Sequence, residues 1–224
     1  MRKKQMMKSI IGVILFLCAA GMQAQTDSSR WSLQLGVITG WSDNMLTKGG
    51  DLDKLYADYE KGRLSNGLEV LVEKPLNQKL SVQAGLRYHT LGYQVDTIAS
   101  IGVENIKYSF RTIQIPVFVK YNISSFETIQ PFVSMGVQYG YMLNSTQEFK
   151  LVSNNQTTSS AINEGLNKNM LLGGLRSGID CKVTDNQDVF VCGEGLYQLN
   201  SFSTGEVSRS LFNCGVVLGW KCRF

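Results

Sequence analysis

Few side chains in this 224-residue chain could do covalent chemistry. His89 is the single histidine, so a hydrolytic triad has one candidate base. No Gly-x-Ser-x-Gly elbow accompanies it. Asp51 and Asp53 have neither the third ligand nor the loop glycine of a calcium loop. Cys181, Cys192, Cys214 and Cys222 form no Cys-x-x-Cys pair and have no second histidine nearby, which speaks against zinc. Their even number would permit disulfides in an exported chain, yet they fall within apolar alternation, where cysteine also serves as a small apolar residue. No cofactor is expected. What remains is charge at regular spacing: Glu69, Glu73, Arg87, Arg176, Asp180 and Glu194 all lie on one parity of alternating segments. Opposite charges on a shared enclosed face pair with one another, because unpaired buried charge is costly.

The segments that carry them have a period of two. Trp31, Leu33, Leu35, Val37 and Trp41 share one face, with Ser32, Gln34, Gly36 and Gly40 on the other. Leu80, Val82, Ala84, Leu86 and Tyr88 alternate with Ser81, Gln83, Gly85, Arg87 and His89, and Ile113 to Tyr121 with Thr112, Gln114, Pro116 and Lys120. Eight such stretches of about 10–16 residues follow one another, longer than the usual 5–6 of soluble strands and long enough to cross a bilayer at a tilt. Glycine recurs on the charged face, at Gly36, Gly85, Gly136, Gly178 and Gly215, as expected where strands crowd around a narrow axis.

These features predict an all-β fold: an eight-stranded antiparallel up-and-down transmembrane β-barrel, apolar side out, charged side in. Connections alternate. Residues 75–79, 122–127 and 184–187 are short; residues 42–63, 94–107, 144–168 and 200–208 are long. That is the pattern of short periplasmic turns and longer extracellular loops. Trp31, Trp41, Tyr88, Tyr121, Tyr139, Tyr141, Tyr197, Trp220 and Phe224 fall toward strand ends on the outward face, as membrane-interface aromatics do. Leu52, Leu55, Tyr56 and Tyr59, after Asp51, have helical spacing and predict a short helical turn in the first loop. In the third, Phe149, Leu151 and Val152 predict a hairpin rising above the membrane.

Residues 1–24 read as a cleaved export signal: Arg2, Lys3, Lys4 and Lys8, then an apolar run from Ile10 to Ala20, with Ala24 at the cleavage point. Residues 25–224 form the barrel domain. The chain carries 22 basic and 18 acidic residues, and removing the four cations of the leader leaves 18 against 18. A neutral mature chain lacks the electrostatic basis for binding nucleic acid.

The strand RTIQIPVFVKY, Arg111–Tyr121, and the signal ending Met22-Gln23-Ala24-Gln25 resemble those of Bacteroidota outer-membrane barrels of the PorT-like group. The ending Gly-Trp-Lys-Cys-Arg-Phe resembles the signal read by the outer-membrane assembly machinery, with Trp220 and Phe224 as its outward residues. Asp96-Thr97-Ile98 resembles the glycosylation site of that phylum. The resemblance implies the Gram-negative outer membrane, lipid and the assembly machinery as partners, and envelope or secretion proteins of the type IX system as further ones. Together with the residues it gives a monomeric, non-enzymatic barrel with a side-chain-filled interior and a structural, surface-interaction or secretion-accessory role. Two alternatives stand beside it. A secreted lipocalin-like binder requires an apolar interior. An outer-membrane lipid hydrolase requires His89 to face the lipid, whereas alternation turns it inward.

Overall fold

The computed structural model describes residues 30–48, 59–98, 103–123, 128–151, 157–162, 166–203 and 208–224. The export segment 1–24 and the helical turn expected after Asp51 lie outside these residues. Nine strands follow in order: β1 (Ser32–Lys48), β2 (Glu60–Pro75), β3 (Leu80–Ile98), β4 (Val103–Asn122), β5 (Ile129–Leu151), β6 (Thr157–Ala161), β7 (Asn169–Thr184), β8 (Gln187–Gln198) and β9 (Ser208–Arg223). Eight close on themselves. Sequence neighbours pair antiparallel from β1 to β5, then β5 with β7, β7 with β8, β8 with β9, and β9 back to β1. Closure removes the open edges that a single sheet would expose. The fold is the eight-stranded antiparallel barrel that the period of two predicts.

The facing follows the alternation. Leu35, Val117 and Leu218 are 51%, 42% and 56% exposed, whereas Arg87 and Glu194 are 1% and 3% exposed. In water such an apolar skin would be untenable; in hydrocarbon it is the favourable surface, and the closed ladder satisfies the backbone. Aromatics edge the skin at both ends, with Tyr121, Trp220 and Phe224 toward the short turns and Trp41, Tyr88, Tyr139, Tyr141 and Tyr197 toward the long connections, all exposed. The axis is narrow where the inward glycines stand. A Cβ at Gly36 would lie 2.9 Å from Glu69 Cγ, and one at Gly219 2.5 Å from the Phe190 ring.

Strand length departs from the expected 10–16 residues. β3, β4 and β5 run 19, 20 and 23 residues. Residues 94–107, expected as a loop, are largely a continuation of β3 and β4, paired out to Ile98–Val103. Residues 146–150 pair with β6, making the hairpin expected above the membrane, with Phe149 turned toward the interior core; Val152 lies outside the described residues. Above the lipid the outward residues become polar and the apolar–polar contrast fades, but the hydrogen-bonded ladder needs no such contrast to continue.

Candidate functional site

The six charged residues singled out in the sequence all face the barrel interior, but they do not form one network. Arg87 on β3 donates from Nη2 to Glu69 Oε2 on β2 and to Glu194 Oε2 on β8, both at 2.6 Å, and from Nη1 to Glu194 Oε1 at 2.8 Å. Arg176 on β7 completes the ring from the other side, with Nη2 to Glu69 Oε2 at 2.6 Å and Nε to Glu194 Oε2 at 2.7 Å. Two guanidinium groups thus cross-link two carboxylates across the lumen, and the set is neutral. The planar fork of arginine lets Arg87 grip both oxygens of Glu194 while it also holds Glu69, a bidentate geometry that the point charge of a lysine does not offer. The Arg176 guanidinium also lies 4.4 Å from the centre of the Phe118 ring, a favourable cation–π contact.

Glu73 and Asp180 belong to a second cluster near the short-turn end. Their partners are Lys120 and Lys221, which alternation places on the inward face without pairing them. Lys120 Nζ donates to Asp180 Oδ2 at 2.6 Å, and Lys221 Nζ bridges Glu73 Oε2 at 3.0 Å and Asp180 Oδ2 at 3.1 Å. Ser81 Oγ and Gln83 Nε2 donate to Glu73 at 2.9 and 3.0 Å, and Gln34 makes a further bond to it. Lys120 also sits 4.1 Å from the centre of the Phe132 ring. This set too is neutral, with two acids and two bases. Lower still, Arg223 pairs with the buried Asp188.

The inward parity of Arg87 and His89 continues through Leu91, Tyr93 and Val95, and polarity does not continue to the top of the lumen. Toward the end with the long connections the interior turns apolar: Leu91, Tyr93, Val95, Ile106, Phe110, Met142, Met170, Leu172, Leu196 and Leu211 form one buried cluster. Phe202, from the connection between β8 and β9, completes it, with its ring centre 5.5 Å from Phe110 and 6.3 Å from Tyr93. Burial raises the Tyr93 and Tyr108 phenols above their usual range, so both rings enter this layer uncharged.

His89 lies in the wall between the arginine ring and this apolar layer. It is fully buried, and neither ring nitrogen has a bonding partner among the described residues. Register sets it beside Gly67 and Thr112, whose hydroxyl donates to the His89 carbonyl rather than to the ring. It does not face the lipid, as the hydrolase alternative requires. Cys181, Cys192, Cys214 and Cys222 are all free thiols. Among the described residues no group of His, Cys, Asp and Glu is arranged to hold a metal.

A closed barrel with an apolar skin and a charged lumen can be compared with known proteins. Residues 23–203 match the family model described as the outer membrane protein beta-barrel domain. The chain belongs to that family. Among solved structures, a major outer membrane protein from Thermus thermophilus aligns with a TM-score of 0.50 at 14% identity, over 88% of this chain and 100% of that one. Neisserial surface protein A gives 0.49 at 12% identity over 88% and 100%, and OprG from Pseudomonas aeruginosa 0.49 at 14% over 88% and 96%. At such identities the likeness is one of fold. No curated protein matches the sequence. The lumen of this barrel is filled, with two neutral ion clusters below and an aromatic-capped apolar layer above.

Proposed function

We propose that this protein is a monomeric, non-enzymatic barrel of the Gram-negative outer membrane that acts through its outer and extracellular surfaces and not through its lumen. One observation carries the reading: the side chains of Arg87, Glu69 and Glu194 bridge the lumen with no exposure to solvent. Eight strands leave room for side chains and little else. The burial of His89 behind the wall favours a non-catalytic role. Surface contacts then fall to the strands that rise above the lipid, since rigid scaffolds commonly present binding segments at their ends.

Among surface roles, the PorT-like character of Arg111–Tyr121 favours an accessory part in protein secretion. A deletion strain that still exports its full set of secreted proteins would remove that role while leaving the surface reading intact. The leader of residues 1–24 delivers the chain for export, and the outward Trp220 and Phe224 at the end of the last strand serve as the signal to the assembly machinery.

The test is conductance. Purified from envelopes as a mature chain that begins at Gln25, the protein is expected to insert into planar bilayers with its native heat-modifiable migration and to give no stepwise ion current. A reproducible open-channel current would overturn the proposal.

A further inference from the structure

The outward wall of β2–β5 changes character abruptly above the lipid. Tyr88, Ile113 and Tyr141 stand in one row across β3, β4 and β5, and all are exposed. The next outward row is Thr90, Arg111 and Asn144; further up come Gln94, Lys107 and Glu148, then Asp96, Asn105, Lys150 and Thr157. Arg63 reaches into this wall from β2, donating from Nη1 to Ser109 Oγ at 2.6 Å and to the Tyr108 carbonyl at 3.2 Å. It passes over Gly92, where a Cβ would lie 3.1 Å from Arg63 Cδ. Lys61 adds a cation, paired with Asp96 at 2.7 Å. Among the described side chains, Lys61, Arg63, Lys107 and Arg111 thus face two acids, Asp96 and Glu148. On a mature chain of balanced charge, this wall is a local positive patch.

The patch also has a concavity. Gln94, Asn105, Lys107, Glu148, Lys150 and Thr157 line a groove of about 290 Å³. Asn105 donates its amide to Asp96 Oδ1 at 2.7 Å, and its own carbonyl oxygen is buried with no donor among the described residues. Two amides, a hydroxyl, a carboxylate and two ammonium groups form a mixed donor and acceptor set. That suits polyhydroxylated saccharide, with the cations taking anionic substituents.

Height decides which molecule can touch the whole patch. Strands rise about 3.3 Å per residue and tilt by about 40°, so Arg111 stands about 5 Å above the Ile113 row and Lys107 about 15 Å above it. A phospholipid headgroup layer adds only about 5–8 Å to the hydrocarbon core on each side. It reaches Arg111 and stops short of the groove. A lipid that spans both carries its phosphate on a saccharide that rises above the headgroup layer. We propose that this wall binds the phosphorylated saccharide headgroup of an outer-leaflet glycolipid, with Arg111 and Arg63 at the phosphate and the groove around Lys107 and Asn105 holding the sugars.

The test titrates the folded full-length mature barrel in neutral detergent micelles with rough lipopolysaccharide, meaning lipid A with its core sugars. The comparison ligands are the same material after enzymatic dephosphorylation, phosphatidylglycerol and inorganic phosphate. Intact lipopolysaccharide is expected to bind at least tenfold more tightly than each of the others. The doubly reversed variant K107E/R111E is expected to lose at least tenfold in affinity with heat-modifiable migration unchanged, since both side chains are exposed. The neutral pair K107Q/R111Q gives an intermediate loss and serves in its place should charge reversal disturb insertion. Equal binding of dephosphorylated material or of phosphatidylglycerol would refute the saccharide-phosphate assignment. So would inorganic phosphate competing at the concentration of the lipid, or both variants binding as the parent does.

Discussion

Replacing Arg87 with Met is expected to destabilise the barrel by about 3–5 kcal/mol, the cost of removing one partner from a buried ionic set. The arginine ring is neutral because two guanidinium groups face two carboxylates. Without Arg87, Glu69 and Glu194 share Arg176 alone, and one negative charge stays in a lumen that water does not reach. Methionine fills most of the volume, so the loss measures charge and hydrogen bonding and not a cavity. Urea titration in lipid vesicles, followed by the gel shift between folded and unfolded forms, would read it as a lowered midpoint. An unfolding free energy within about 0.5 kcal/mol of the parent would mean that the ring is hydrated or rearranges at little cost.

A second substitution separates charge imbalance from lost contacts. Arg87→Met with Glu194→Leu leaves Glu69 facing Arg176, neutral again and with fewer polar atoms buried. Replacing a buried ion pair by apolar residues of similar volume is often neutral or better. The double variant should therefore recover more than half of the loss of Arg87→Met alone. If the two substitutions instead add, the ring's value lies in its individual hydrogen bonds and not in its balance.

How far the sequence foretells this arrangement depends on which coordinate is asked about. Whether a residue faces in or out follows from a period of two, so alternation alone places Arg87 and Glu194 in the lumen, and Leu35 and Val117 in the lipid. Height along the axis is a different matter, because it depends on the stagger between strands, and parity carries no information about stagger. Glu73 and Arg87 share a face, yet Glu73 sits opposite Gln83 and Arg87 opposite Glu69, so Glu73 finds Lys221 and Lys120 near the short turns. The signal for Lys120 is present in Val117, Phe118, Val119 and Lys120, an inward cation two residues before the end of β4. Assigning its partners requires the register. The halves of β3 and β4 nearest the long connections read as loop for a related reason: Gln94, Asn105 and Lys107 face outward there, and their polarity hides strands that pairing alone sustains. Phe202 has no periodic context at all, so no pattern marks it as buried.

That residue carries the other large expected effect. Truncating Phe202 to Ala is expected to cost about 3–5 kcal/mol, the range for large aromatic to Ala changes in packed interiors. The connection that holds it is well anchored. The Phe202 N–H donates to the Arg209 carbonyl at 3.0 Å, its own carbonyl accepts from the Asn167 N–H at 2.7 Å, and Ser201 Oγ accepts from the Arg209 N–H at 3.1 Å. The backbone therefore cannot readily sink to fill the space the ring leaves between Phe110 and Tyr93. Leucine keeps most of the volume and should cost under about 1.5 kcal/mol. The same urea gel-shift assay would rank the two, and equal losses for Ala and Leu would show that the ring's packing is not what secures the cap. Neither change should produce an ion current, because the Arg87–Glu69–Glu194 bridge below lies on other elements. A current from Phe202→Ala with Arg87 intact would make the aromatic cap the true seal of the lumen and the charged ring a scaffold only.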